Sequence, residues 1–287
     1  MGHFALSTDQ TSRATESAKT AAELTTARQA DLPTALIRYL WDGGSATVVV
    51  EALAAYQNED GGFGHRLEPD IHAVASNPFA ARVAMQYLRF LPDDSAPVMR
   101  TRLQEWLTTN QHQDGDWHFS TATKAGFMQP WFAAWEFPAL NPACCVSGLA
   151  GSLGLVSDEM MARVSKLFDQ KASLSQISNG GFYDLLPYVE YSLGVQLPNE
   201  YLDAIAASII RRSEAGEFED AEHFFTLATG GSAEITAKIP AELISRYCDQ
   251  LIAEQGEDGG WPTPYDDAWR VWTTANAMMI LARLSSA

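Results

Sequence analysis

Gln57-Asn58-Glu59-Asp60-Gly61-Gly62-Phe63 decides the reading of this chain, because it returns three more times in altered form. The later copies are Gln111-His112-Gln113-Asp114-Gly115-Asp116-Trp117, Gln176-Ile177-Ser178-Asn179-Gly180-Gly181-Phe182 and Gln255-Gly256-Glu257-Asp258-Gly259-Gly260-Trp261. Each runs from Gln through a short, largely polar stretch to Asp or Asn, then Gly, then an aromatic. The four aromatics lie 54, 65 and 79 residues apart. A recurring unit of that length is the signature of a repeat architecture. Asp-Gly and Asn-Gly are turn signals: Gly reaches the φ > 0 geometry that ends a helix, and Asn or Asp tolerates it. The Gln closes the preceding helix, where its amide can meet the end carbonyls. The aromatic packs back over that helix end.

Between the turns the pattern is helical. Helices are expected from Ala14 to Ala30, Asp31 to Trp41, Ser45 to Tyr56, Asn77 to Leu91 and Val98 to Asn110. Further ones start at Asn141, Ser157, Phe182, Asn199, Glu219, Ile239 and Asp267. Asn77-Pro78 is a cap followed by proline at the first helical position. Leu103, Trp106 and Leu107 form one apolar stripe, whereas Ala143-Cys144-Cys145-Val146 opens a run apolar on nearly every face. The count is about twelve helices, alternately amphipathic and broadly apolar, with no strand-like alternation. His118 to Asn141 is too aromatic for an idle loop and too broken by Pro130 and Pro138 for one regular helix. Residues 1–12 are polar and expected to be flexible, ahead of a single domain over 13–287.

Composition narrows the function. The 287 residues carry 19 Lys and Arg against 36 Asp and Glu, a net charge of −17. Phosphate backbones need clustered cations, so nucleic acid is not an expected partner, nor is an anionic membrane surface. No apolar run is long enough for a membrane span. The three cysteines, two of them adjacent, do not form a disulfide framework, and no secretory leader is visible. The expected compartment is the cytoplasm. A homo-oligomer is left open.

The four turns and the helices between them, over roughly residues 45–285, resemble the QW repeat of the squalene-hopene cyclase and protein prenyltransferase β-subunit superfamily. The resemblance implies an all-α, (α/α)6 toroid of about twelve helices, with inner helices around a central cavity and QW-type turns along one end. It does not carry the chemistry over. The Asp-x-Asp-Asp acid of class II terpene cyclases is absent, and Asp266-Asp267 and Glu68-Pro69-Asp70 are the nearest carboxylate clusters. Cys144-Cys145 faintly resembles the cysteine-bearing helix of the prenyltransferases, but their ligand histidine has no counterpart. No metal and no cofactor is therefore assigned.

In such a fold the loops that feed the inner helices reach the cavity. One carries His65, Glu68, Asp70 and His72, carboxylates and imidazoles close enough for general acid–base work if burial raises a carboxyl pKa. The same residues could only solvate the surface and bias the next helix N-terminus. A metal on His65, Asp70 and His72 has no supporting motif. A second loop carries Asp266 and Asp267, one of them a helix cap, beside Trp269 and Trp272. Trp131, Trp135, Tyr188, Trp269 and Trp272 could line a pocket and shelter a cation, or be ordinary core. The expected catalytic residues are Asp70, Glu68 and Asp267; His65, His72 and the five aromatics are the expected substrate contacts. The favoured reading is a terpene-cyclase-like enzyme that protonates a small apolar, isoprenoid-type molecule. A glycan-acting (α/α)6 lyase or hydrolase and a non-catalytic ligand-binding toroid are the alternatives.

Overall fold

The helix boundaries follow their caps. In a computed structural model, which describes residues 5–263 and 265–285, Ser7 opens the first helix with a capping box: its hydroxyl accepts from the Gln10 amide and the Gln10 side chain returns to the Ser7 amide. That helix, α1 (Thr8–Ala27), therefore begins ahead of Ala14 and takes in half of the segment expected to be flexible. Residues 1–4, Pro264 and residues 286–287 lie outside the described residues.

The chain then runs through α2 (Asp31–Trp41), α3 (Ala46–Ala54), α4 (Pro78–Leu88), α5 (Pro97–Asn110), α6 (Thr121–Ala125), α7 (Pro130–Ala133), α8 (Leu140–Ser152) and α9 (Asp158–Lys171). It continues with α10 (Leu174–Asn179), α11 (Phe182–Tyr191), α12 (Asn199–Ala215), α13 (Ala221–Ala228), α14 (Ala233–Thr236), α15 (Ala241–Ala253), a 3-10 turn (Asp267–Trp269) and α16 (Arg270–Ser285). The chain is all-helical, and the described residues form no strand. All twelve expected helices are present. The four additional ones, α6, α7, α10 and α14, have four to six residues each, too short for a 3.6-residue period to register.

The motif turns explain the repeat in atomic terms. In the first, second and fourth copies the residue after Gln donates to the carbonyl four positions on: Asn58 to Gly62, His112 to Asp116, Gly256 to Gly260, at 2.8–2.9 Å. The aspartate before the glycine accepts from the amide two residues later, as Asp60, Asp114 and Asp258. Gly61, Gly115 and Gly259 take φ of 87° to 94°. A Cβ there would lie 2.2–2.5 Å from a carbonyl oxygen of another helix: Arg102 in α5, Arg163 in α9 and Thr20 in α1. The glutamine Nε2 spans the joint, donating both to its own turn and to that second helix. Gln57 reaches Gly61 and Met99, Gln111 reaches Gly115 and Met160, and Gln255 reaches Gly259 and Ser17. Phe63, Trp117 and Trp261 are buried, and both tryptophan indoles donate to the carbonyl ten residues back, on the helix just ended.

The third copy is not such a turn. Ser173 caps a new helix through the Gln176 amide, so Gln176 sits inside α10. Its side chain meets the side chains of Asp184 and Tyr188 on α11 instead of the backbone carbonyls of its own turn and of a second helix. Ile177, where the other copies are polar or glycine, is fully buried. Gln111→Ala is accordingly expected to cost about 2 kcal/mol, since two buried carbonyls and the Arg163 guanidinium each lose a bond to the amide. Gln176→Ala, which strands no backbone carbonyl, should cost less than half as much. Urea unfolding of the two variants checks this, and equal losses would show that the joint is not what the glutamine supplies.

The chain divides into two compact units: residues up to Ala52 together with those from Ala206 onward, and Leu53–Ile205. In the first unit α16 packs on α1, α2 and α13, and α13 packs on α15. The amide of Leu6 donates to the Leu284 carbonyl at 3.4 Å. In the second unit α8 packs against α4, α9 and α11. Gly148 of α8 permits close approach to α11: a Cβ there would sit 2.0 Å from the Glu190 carbonyl oxygen.

Candidate functional site

The second unit collects the buried charge. Glu68 and Asp70 lie on the segment between the first turn and α4, and each residue is only 7% exposed. The segment is held on both sides. His72 N–H donates to Phe127, Gln129 N–H donates to Asp70, and Ile71 bridges Met128. The Glu68 carboxyl accepts a long bond, 3.4 Å, from the Asp70 amide. Burial, and then the Asp70 charge, push it up to about 7; the Asp70 amide and the Arg82 guanidinium pull the other way. Glu68 is thus near half-protonated at neutrality, a range suited to giving and taking protons.

Arg82 of α4 belongs to a second buried group. Its Nε and Nη2 make a two-pronged contact with Glu190 of α11, both bonds 2.6 Å. Gln86, one turn further along α4, adds a bond of 3.0 Å to the same carboxylate. Burial first, and then the Glu190 carboxylate, hold the thiol of Cys145 on α8 well above its ordinary value. Arg82 and Gln86 of α4 therefore both hydrogen-bond Glu190, which is 3% exposed.

Beside the Glu68 segment lies an aromatic cluster. Ile71, Ala73, Phe79, Phe119 and Phe132 form its buried centre, with Met128, Trp135 and Phe137 packed against them. Phe79 meets Phe132 edge-on at 4.6 Å and Trp135 at 5.0 Å.

The expected site residues separate under this geometry. Glu68, Asp70 and Trp135 sit in or beside this group. His72 joins through its backbone and places its ring 4.7 Å from Phe127. His65 is exposed and bonded to Asn58 in the turn, so it serves the loop. Trp131 is half exposed, and Tyr188 is a core residue whose hydroxyl donates to Gln176 and accepts from the Ser173 amide. Trp269 and Trp272 belong to the first unit and are part-buried. Asp266 caps the 3-10 turn, as one of that pair is expected to. Asp267 lacks the burial that a neutral-pH proton donor needs: it is exposed and paired with Arg28 at 2.5 Å, which holds its carboxyl below the ordinary value.

Two raised carboxyls go unnoticed in the sequence. Asp116 is fully buried and accepts from the amides of Trp117 and Ala139, both at 2.8 Å; burial pushes it up to about 7 against those bonds. It pins the second turn to the start of α8. Glu222, in the first unit, is also pushed up to about 7 by burial, although Asn276 donates to it at 2.8 Å. Nearby, Asp220 caps α13 and pairs with His223 at 2.8 Å.

No family model, no curated protein and no solved structure matches this chain.

Proposed function

We propose that the chain is an α/α toroid enzyme that protonates an apolar, isoprenoid-type substrate, with Glu68 as the acid. The observation that carries this reading is a buried carboxyl, pushed up to about 7 beside a second carboxylate and next to a cluster of aromatic rings. Asp70 is the neighbour whose negative charge keeps the proton on Glu68. The rings of Trp135 and Phe79 would offer their faces to a developing carbocation. Closure into a ring is supported by the fourth turn, which seats on α1 through Gln255 and Gly259 as the first two seat on α5 and α9.

The test is proton transfer itself. The protein is incubated in deuterium oxide with squalene and, separately, with farnesoate, an isoprenoid ended by a carboxylate, and extracted lipid is analysed by mass spectrometry. One deuterium per product is expected from the wild type, at least a hundredfold less from Glu68→Gln, and an unchanged yield from Asp267→Asn. Deuterium transfer that survives Glu68→Gln would remove Glu68 from the role. Transfer from neither substrate would exclude the substrate class.

A further inference from the structure

On α4, Arg82, Gln86 and Arg89 follow one another at spacings of four and three residues, so they share one face. Glu190 stands opposite and is the charge that acts on both arginines. Its carboxylate, however, is already committed to Arg82 and Gln86. Arg89, the C-cap residue of α4, is half-buried, its backbone amide donates to Met85, and its guanidinium makes no hydrogen bond among the described residues. Every other arginine that is at least partly buried donates one: Arg13, Arg82, Arg100, Arg102, Arg163, Arg212, Arg270 and Arg283. Burial weakens the hold of Arg89 on its proton, and Glu190 only partly restores it. A desolvated guanidinium with five free donors is a poor place to stop, since it forfeits hydration without gaining a partner.

We infer that Arg89 and the polar face it shares with Gln86 bind a carboxylate group carried by the substrate. Arg82 is paired with Glu190 and also feels Glu68, so Arg89 is the one guanidinium left without a bonded carboxylate, and its single positive charge matches a carboxylate monoanion better than a phosphate dianion. The planar fork of arginine also fits a carboxylate in two-pronged fashion. Arg89 lies seven residues beyond Arg82, roughly 10 Å along the helix. The ligand is therefore an apolar chain ended by a carboxylate, anchored away from the reacting end. This rests on the proposed role of Glu68 only for calling that ligand the substrate.

The full chain is titrated by calorimetry with octanoate, octyl phosphate and octan-1-ol. Octanoate is expected to bind one per chain and octan-1-ol at least tenfold more weakly. Octyl phosphate should bind no tighter than octanoate. Arg89→Met should weaken octanoate at least tenfold, and Arg89→Lys, which keeps the charge, less than fivefold. Equal binding of octanoate to wild type and Arg89→Met, or of octan-1-ol and octanoate to wild type, overturns the inference. So does the absence of octanoate binding at millimolar concentration, and a tenfold preference for octyl phosphate overturns the carboxylate assignment. Glu68→Gln should keep octanoate binding. Its loss of deuterium transfer, or failure to lose it, then bears on the acid alone.

Discussion

Glu190→Ala is expected to destabilise the chain by roughly 3–5 kcal/mol, the usual result of breaking a buried ion pair from one side. The carboxylate it removes is the shared acceptor of Arg82 and Gln86. Its loss would leave the Arg82 guanidinium, whose side chain is 15% exposed, with no compensating charge at hydrogen-bond distance. Burial disfavours the charged form of Arg82, and it is Glu190 that more than offsets this and raises its proton affinity. Removing both charges together, as Arg82→Met with Glu190→Leu, should recover most of the loss, because two apolar groups leave nothing stranded. Guanidinium unfolding of the two variants decides the matter. A double variant no more stable than Glu190→Ala would mean that the pair contributes through packing rather than charge.

The second large effect concerns pH. Burial pushes Glu68, Asp116 and Glu222 up to about 7, from ordinary values of 4.5, 3.8 and 4.5. Between those ordinary values and 7 the folded chain holds more protons than the unfolded one. Stability therefore falls as pH rises through this window, and the loss is complete above it. His223, raised in spite of burial by Asp220, acts in the same sense: its contribution is present at low pH and lost as pH climbs past its folded value. Asp220, lowered by its bond to His223 in spite of burial, acts oppositely. Its contribution is present above the unfolded value and is lost only as pH falls below it. The stability maximum is thus expected near pH 5, with a drop of roughly 5 kcal/mol by pH 8. Urea unfolding at the two pH values in high salt, which screens the repulsion of a chain at −17, checks this. Asp116→Asn should flatten the profile by about a third. A stability that is level or rising from pH 5 to 8 would show that these carboxyls ionise freely in the folded state.

Much of the fold could be read before any coordinates, because its signals are local. A glycine after Asp, a cap before a proline and an apolar stripe each speak for a few residues on either side. The third motif copy shows where that stops. Gln, Asn-Gly and an aromatic keep the spacing, yet Ser173 three residues before Gln176 starts a helix, and the buried Ile177 fixes it. The candidate site was half legible. Glu68 and Asp70 stood out as a pair, but the segment that carries them is held by residues 127–129, far along the chain. Arg82 and Glu190 were missed because their meaning lies in each other, 108 residues apart. The available signal was Arg82 as the one charge in Pro78–Leu88 and Glu190 far from the first-turn Asp184 in the otherwise apolar Phe182–Tyr191. Asp116 offered a similar clue: it stands where the first and fourth copies carry Gly62 and Gly260.

The joint between Gln255 and Ser17 has a bearing on how the protein comes into being. Its two halves are 238 residues apart, whereas the first two joints span 42 and 49. A chain emerging from the ribosome can therefore make those early joints as soon as α5 and α9 appear. The acceptors on α1 wait while the 238 residues between the two halves are made. Closing so long a loop is entropically slow. Until then α1 presents unclaimed carbonyl oxygens and the Thr20 surface on which Gly259 will rest. Of the three joints, the one on α1 is the last to meet its other half.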